Sequence, residues 1–374
     1  MSIPLLDLRA QNELVRRDIR EGLEDLMNRS SFILGSHVSE FEKEVAAYAH
    51  TQYAVGVSSG TDAQLLALMA LGIGPGDEVI IPTFTFFSTA GVVARLGATP
   101  VFTDIDPSTF NMDPSSLGSC LSSKTKAIMP VHLFGQLADM PSIMDIATTS
   151  RIPVIEDACQ SMGARGWGKE AGEWGAMSSF SFYPTKNLGA FGDAGLTTIL
   201  QDEHLYQKVK RLRVHGMEPV YIHHEVGING RLDEFQAMVL RAKLKYLESW
   251  HEGRIQNAAW YLDRFAHLDR DRIELPVFRI PQGRHIYNQF TLRIKNGQRD
   301  AFKAHLHQHG IGHAIYYPLC LHEQPCFAYV GKPHGALPHA ELAAQEVVSI
   351  PVYPEMTHHQ REEVADVVES FFHY

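Results

Sequence analysis

The sequence predicts an α/β protein: a mixed, mainly parallel sheet with helices on both faces in a large domain, then a smaller C-terminal α+β domain. Three observations carry this reading. Between about residues 50 and 200, short apolar runs alternate with stretches of helical spacing, the rhythm of strand–helix–strand units. Turn residues such as Gly74-Pro75-Gly76-Asp77 separate those runs. Beyond residue 200 the alternation gives way to one long amphipathic stretch and then to shorter mixed pieces. A chain of 374 residues has the length of two domains, and the reading places the large one at 1–248 and the small one at 249–374.

The elements follow in order. Ala54-Val55-Gly56-Val57 reads as a strand, Ser58-Ser59-Gly60 as a turn, and Thr61 to about Leu71 as a helix with Leu65, Leu68 and Met69 at helical spacing. Val79-Ile80-Ile81 is a second buried strand. A helix near Ser88–Leu96 leads to a strand at Thr99–Thr103, and a strand at Ala127–Val131 precedes a helix near Met140–Thr148. Pro153-Val154-Ile155 then runs into Glu156-Asp157. Further on, Leu232, Phe235, Val239, Ala242 and Tyr246 step by three and four, which predicts one face of a long helix. Phe290–Ile294 reads as a strand and Arg299–His309 as a helix.

Composition narrows the function classes. Lys+Arg number 33 against 43 Asp+Glu, a formal charge of −10, and no basic block is present, so nucleic-acid binding is not expected. The run from Val79 to Ala94 is too short for a membrane span and holds Pro82. Asp7 and Arg9 stand where a secretory signal would be apolar. Four cysteines (Cys120, Cys159, Cys320 and Cys326) with no CxxC pair point to a reducing cytoplasm. His305, His307 and His309 step by two within a helix and are expected not to share a face, and no zinc-ligand spacing occurs, so no metal is expected.

In a parallel sheet, ligands sit at the carboxyl ends of the strands, and three segments there can carry chemistry. Gly56-Val57-Ser58-Ser59-Gly60 fits the G-x-S-x-G elbow of a hydrolase nucleophile. It equally fits a small-residue turn whose free amides, at Gly60 and Thr61, bind a phosphate at a helix N-terminus, or a plain capped turn. Asp157 ends a buried strand, where an ionised carboxylate is costly unless a cation pairs with it. It is either a helix cap or the partner of a protonated heterocycle. Ser181-Phe182-Tyr183-Pro184-Thr185-Lys186-Asn187 leads into Gly189, Gly192 and Gly195. A lysine kept desolvated there has a lowered pKa and can form Schiff bases, while Ser181 can turn its hydroxyl to a phosphate.

Together, Ser59-Gly60-Thr61-Asp62-Ala63, Glu156-Asp157-Ala158-Cys159-Gln160 and Ser181-Phe182-Tyr183-Pro184-Thr185-Lys186-Asn187-Leu188-Gly189 resemble the sugar aminotransferases of the DegT/DnrJ/EryC1/StrS family. The resemblance runs from Phe32-Ile33-Leu34-Gly35 through Pro82-Thr83-Phe84-Thr85-Phe86 and Gly227-Ile228-Asn229-Gly230-Arg231-Leu232-Asp233-Glu234 to Tyr317-Pro318 and His322. It implies the pyridoxal-phosphate-dependent aspartate aminotransferase fold (fold type I). By the same resemblance Lys186 matches the lysine that bonds to the cofactor and shuttles the proton, and Asp157 the carboxylate beside the pyridine nitrogen. Gly60, Thr61 and Ser181 match the phosphate cradle, Phe86 the aromatic on the ring, and Gln160 the residue at its other side or near its hydroxyl. Asn229 matches a residue that reaches the phosphate from a neighbouring subunit, so a homodimer with shared sites is implied. Lys186 sets the reaction type, because the dehydratase branch of the family has His there.

The resemblance also suggests a substrate. Arg213-Val214-His215-Gly216-Met217-Glu218-Pro219 is similar to members acting on 3-keto rather than 4-keto sugars. With glutamate as amino donor, the preferred acceptor is UDP-linked 3-keto-N-acetylglucosamine, giving a 2-acetamido-3-amino sugar for lipid A or lipopolysaccharide. A dTDP-linked 3-keto-6-deoxyhexose comes next. His215, Tyr317 and His322 are the candidate sugar-facing residues. Two other classes stay open: a regulatory or binding protein that keeps the fold, and a hydrolase using Ser58.

Overall fold

The computed structural model describes residues 2–331 and 336–373. Its large sheet is built from β1 (Tyr53–Val57), β2 (Glu78–Pro82), β3 (Thr99–Thr103), β4 (Thr125–Ile128) and β5 (Ile155–Asp157), with β8 (Met177–Ser181) and β9 (Gly195–Ile199) added after a small hairpin of β6 (Arg165–Gly166) and β7 (Lys169–Glu170). Two hydrogen-bonded blocks, β3-β2-β4 and β5-β8-β9-β1, are joined by parallel bridges from Ile128 to Val154 and from Val131 to Asp157. The β2–β3, β2–β4 and β5–β8 pairs are parallel. Strand β9 runs antiparallel to both β8 and β1, which makes the sheet mixed.

Helices α1 (Arg9–Arg29) and α2 (Ser36–Tyr48) precede the sheet, and α3 (Gly60–Ala70), α4 (Ser88–Arg95), α5 (Pro114–Cys120) and α6 (Met140–Ser150) alternate with its strands. After α7 (Glu203–Leu212) and α8 (Glu234–Leu244) comes α9 (Leu247–Arg264). One apolar cluster packs Leu66, Leu68, Val79 and Ile81 against Val209 and Leu212. Ile80, Ile128, Met140 and Ile143 form another. Alternate residues of β2 thus enter different clusters, as the two-residue period of a strand buried on both faces requires.

Three antiparallel strands, β10 (Ile273–Glu274), β11 (Phe290–Ile294) and β12 (Val347–Ile350), form a second sheet. With α10 (Arg299–Gln308), α11 (Pro338–Glu346) and α12 (His358–Phe372) they make the C-terminal α+β unit. Its cluster holds Tyr261, Phe265, Phe290, Phe302 and Val364, and also takes in Ile3. Helix α9 spans both units, with Leu247 in a core of the large sheet and Ala258 and Tyr261 in that of the small one.

Three sequence expectations are corrected. Strand β4 ends at Ile128 rather than Val131, because Pro130 has no N–H to donate. The chain there turns so that Val131 bridges Asp157. The long helix with five facing residues is shorter: Asp233 caps it by accepting from the Gln236 amide at 2.8 Å, leaving Leu232 outside, in the cluster of Phe41 and Leu196. Of the three spaced histidines, His305 and His309 do share a face, their rings 4.3 Å apart, being one turn apart; His307 faces His313.

Candidate active site

Strands β1, β5 and β8 all deliver their carboxyl ends to one place. There a cavity of about 800 Å³ is lined by Gly60, Thr61, Phe86, Asp157, Gln160, Ser181, Lys186 and Tyr317. Eight of the eleven residues singled out from sequence are therefore brought together. Its size falls in the range of roughly 300–1,000 Å³ typical of small-molecule sites.

One end of the cavity is the start of α3. Ser59 caps the helix, its hydroxyl accepting from the Asp62 amide at 3.1 Å, which leaves the amides of Gly60 and Thr61 without protein partners among the described residues. The turn itself is closely packed. A methyl on Gly60 would lie 2.7 Å from Ser181 Cβ and 2.9 Å from Cys159 Sγ, and one on Gly195 only 2.2 Å from the Ser59 carbonyl carbon. Free helix-terminal amides beside the Thr61 and Ser181 hydroxyls form a donor set for an anion, and the fit is that of a phosphate group. The nearby Ser58 hydroxyl bonds to Asp62, with no imidazole on it among the described residues, so the hydrolase elbow lacks its base.

At the end of β5, Asp157 is buried, only 3% exposed. The Thr89 hydroxyl donates to its Oδ2 at 2.8 Å and the Cys159 amide to its Oδ1 at 3.2 Å. Among the described residues no ion pair reaches this buried carboxylate, and a protonated ring nitrogen in the cavity would pair with it. Glu156, its neighbour in the strand, points the opposite way. It accepts from the amides of Gly175 at 2.8 Å, Trp174 at 2.9 Å and Gly172 at 3.0 Å, from the Ser178 hydroxyl at 2.9 Å, and pairs with His132 at 2.8 Å. Burial pushes the Glu156 pKa up, but the His132 bond and charge and these amides outweigh it and hold the carboxyl below its usual value. This network anchors β5 from behind the site.

Lys186 sits in the loop after β8, its amide donating to the Tyr183 carbonyl at 2.8 Å. Burial lowers its pKa, opposed by the charges of Cys159 and Asp157, the condition under which a lysine amine acts as nucleophile and base. Gln160 accepts from the Phe134 amide at 2.8 Å and donates to the Tyr317 hydroxyl at 3.2 Å. Burial, reinforced by the Asp157 charge, pushes the Tyr317 pKa up, so its proton stays available for donation. The Phe86 ring, 55% exposed, stands 6.3 Å from that of Tyr317.

Three candidates lie outside the cavity lining. Asn229 is exposed and bridges Val214. His215 is exposed with φ of 64°, and its carbonyl accepts from His223. His322 is held by Thr83 at 2.7 Å and Glu341 at 3.4 Å, while its neighbours Leu321 and Gln324 reach the lining. Sequence reasoning missed Thr89, Gln289, Tyr316 and Asp193. Among the described residues, no three His, Cys, Asp or Glu side chains are grouped to hold a metal ion, and no helix is long and apolar enough to cross a membrane.

A lysine amine, a buried carboxylate and an anion cradle around one cavity at a sheet's carboxyl edge define a cofactor-dependent enzyme that works through an amine. The chain belongs to the DegT/DnrJ/EryC1/StrS aminotransferase family, whose match covers residues 14–371. It is thus a transaminase dependent on pyridoxal phosphate, with that family's fold. It is 45% identical over 375 aligned positions, covering all of both chains, to a pleiotropic regulatory protein of Geobacillus stearothermophilus. It is 43% identical to the UDP-N-acetyl-3-dehydro-alpha-D-glucosamine 3-aminotransferase of Acidithiobacillus ferrooxidans, covering 100% of this chain and 98% of that one. Against the dTDP-3-amino-3,4,6-trideoxy-alpha-D-glucose transaminase of Streptomyces venezuelae it is 39% identical, covering 99% and 96%. The crystal structure of S. venezuelae DesV with a ketimine intermediate superposes with a TM-score of 0.95 at 38% identity, covering 100% of this chain and 99% of that one.

Proposed function

We propose that the protein moves an amino group from glutamate to the 3-keto group of a nucleotide-linked hexose, with UDP-3-keto-N-acetylglucosamine as preferred acceptor and a UDP-2-acetamido-3-amino sugar as product. The observation that carries the reaction is the convergence of Lys186, Asp157 and the free amides of α3 on one cavity. The acceptor rests on the 43% identity to the A. ferrooxidans enzyme. A product of that kind suits lipid A or lipopolysaccharide, made in the cytoplasm.

In this reading Gly60 and Thr61 offer amides, and Thr61 and Ser181 hydroxyls, to the cofactor's phosphate. Asp157 faces the ring nitrogen, and Phe86 and Gln160 border the ring. When bound, pyridoxal phosphate supplies an electron-withdrawing ring that stabilises negative charge at the substrate carbon bearing the amine. Lys186 takes the proton from that carbon and returns one. Tyr317, held by Gln160, donates toward the substrate. Residues 1–248 form the cofactor domain and 249–374 the small domain, which supplies Gln289, Tyr316 and Tyr317 to the lining. Asn229, outside its own cavity, is assigned to the cavity of a second copy in a homodimer, together with the exposed 214–231 segment that includes His215. His322 shapes the sugar end through Leu321 and Gln324.

The test is an absorption spectrum of the purified protein before and after glutamate, then a panel of UDP- and dTDP-linked 3-keto and 4-keto sugars. A cofactor band that glutamate shifts and a UDP-linked 3-keto sugar restores supports the reading. Restoration by dTDP sugars alone would move the substrate to the S. venezuelae type. A second reading, that of a regulator retaining the fold, draws on the G. stearothermophilus relative's name; it requires a protein that pyridoxal phosphate leaves without a glutamate-sensitive band.

A further inference from the structure

Lys243 is the least expected side chain in the molecule. It lies on α8, it is 1% exposed, and burial alone lowers its pKa to about 8 with no carboxylate acting on it. An uncompensated buried ammonium is costly, and the partner it does have is specific. Its Nζ donates to the Gly189 carbonyl at 2.8 Å and stands 4.7 Å over the Phe191 ring, a cation–π placement. Two turns toward the start of α8, Gln236 accepts from the Phe191 amide at 2.8 Å. The approach is close, since a methyl on Gly192 would come within 2.9 Å of Gln236 Nε2.

These contacts grip the segment that carries Lys186. The segment leaves β8 at Ser181 and returns as β9 at Gly195. It is closed internally by Phe182 to Ala194, Ala190 to Phe182 and Lys186 to Tyr183 backbone bonds, each 2.8 Å. Gly189 packs so near Pro184 that a methyl there would sit 2.3 Å from the Pro184 carbonyl oxygen. Two outside contacts hold the Lys186 turn beside the Gln236 grip: Asn187 donates to the Ile286 carbonyl at 3.2 Å, and the Gly189 carbonyl is taken by Lys243.

We infer that Lys243, seconded by Gln236, is a positioning residue: α8 sets the aim of Lys186 by clamping the Gly189–Phe191 stretch. The inference rests on the assignment of Lys186 as the cofactor-bonding lysine, and its tests separate the two. Lys243→Met keeps a chain of similar length while removing the donor. In that variant, prepared without cofactor, amide hydrogen exchange over residues 183–195 rises at least about tenfold while the strands β1 and β2 keep their protection. Capture of pyridoxal phosphate, read as the pyridoxyl group left covalently on the protein after borohydride reduction and removal of free cofactor, slows by a similar factor. If Lys243→Met does not fold, Gln236→Leu carries the same expectation from the second grip. Unchanged exchange over 183–195 in the variant that folds overturns the inference. Failure of the Lys186 assignment looks different: Lys186→Ala would then still yield a borohydride-fixed band.

Discussion

The Thr89–Asp157 bond can be removed almost without touching the packing. Thr89 is wholly buried, its hydroxyl donates to Asp157 Oδ2 at 2.8 Å, and Thr89→Val keeps the branched shape while deleting that donor. Asp157 would then keep only the 3.2 Å bond from the Cys159 amide. A hydrogen bond to a charged group contributes about 1.5–3 kcal/mol, so if the carboxylate's orientation depends on it, kcat should fall roughly 10- to 150-fold at 1.4 kcal/mol per decade. The loss should fall on kcat more than on KM, because the proposed function sets Asp157 against the cofactor and not the sugar. Thr89→Ser, which restores the hydroxyl, should regain most of the rate. The assay is single-turnover reaction with glutamate followed by absorbance, with thermal unfolding as a control on folding. A Thr89→Val enzyme that folds and turns over within about twofold of wild type would show that Asp157 is oriented by the strand alone.

Other outcomes follow from the same geometry. Gly60→Ala places a methyl 2.7 Å from Ser181 Cβ, so the cradle must shift and pyridoxal phosphate affinity, measured by titration, should drop by about tenfold or more; unchanged affinity would mean the phosphate sits elsewhere. Lys186→Ala should fold and still bind cofactor but lose turnover, which a steady-state assay with glutamate decides. For Glu156 the folded pKa lies below the unfolded value, so its stabilisation is present above the unfolded pKa near 4.5 and is lost as pH falls through the folded one. Glu156→Gln should therefore flatten the acid limb of stability below about pH 4.5, while at neutral pH it costs about 3–5 kcal/mol because His132 and the loop amides lose their anion; denaturant unfolding at pH 4 and pH 7 separates the two effects.

What the sequence shows and what it hides divide along one physical line. Strand β3 and strand β11 were legible to the residue, because period and turn residues are local signals. Asp157 stood out at the end of an apolar run, where a charge has no business unless something receives it, and Lys186 in the stretch leading to Gly189, Gly192 and Gly195; the structure brings both to one cavity. The misses are non-local. Thr89 meets Asp157 across 68 positions, and no spacing rule links them. Glu156 and Asp157 are adjacent and chemically alike, yet strand alternation sends one to the cavity and the other to His132, so only the sheet's position tells them apart. Lys243 misleads most, since a lysine on an amphipathic helix reads as a solvated face. Here α8 is buried between the lysine loop on one side and Val15 and Ile19 of α1 on the other. The helix that sequence read for its apolar stripe has a second face, and that face bonds to Gly189 and Phe191 in the segment that carries Lys186. A reading built on local periodicity finds the elements; which side chains then hold one another is set by the surfaces the fold brings together.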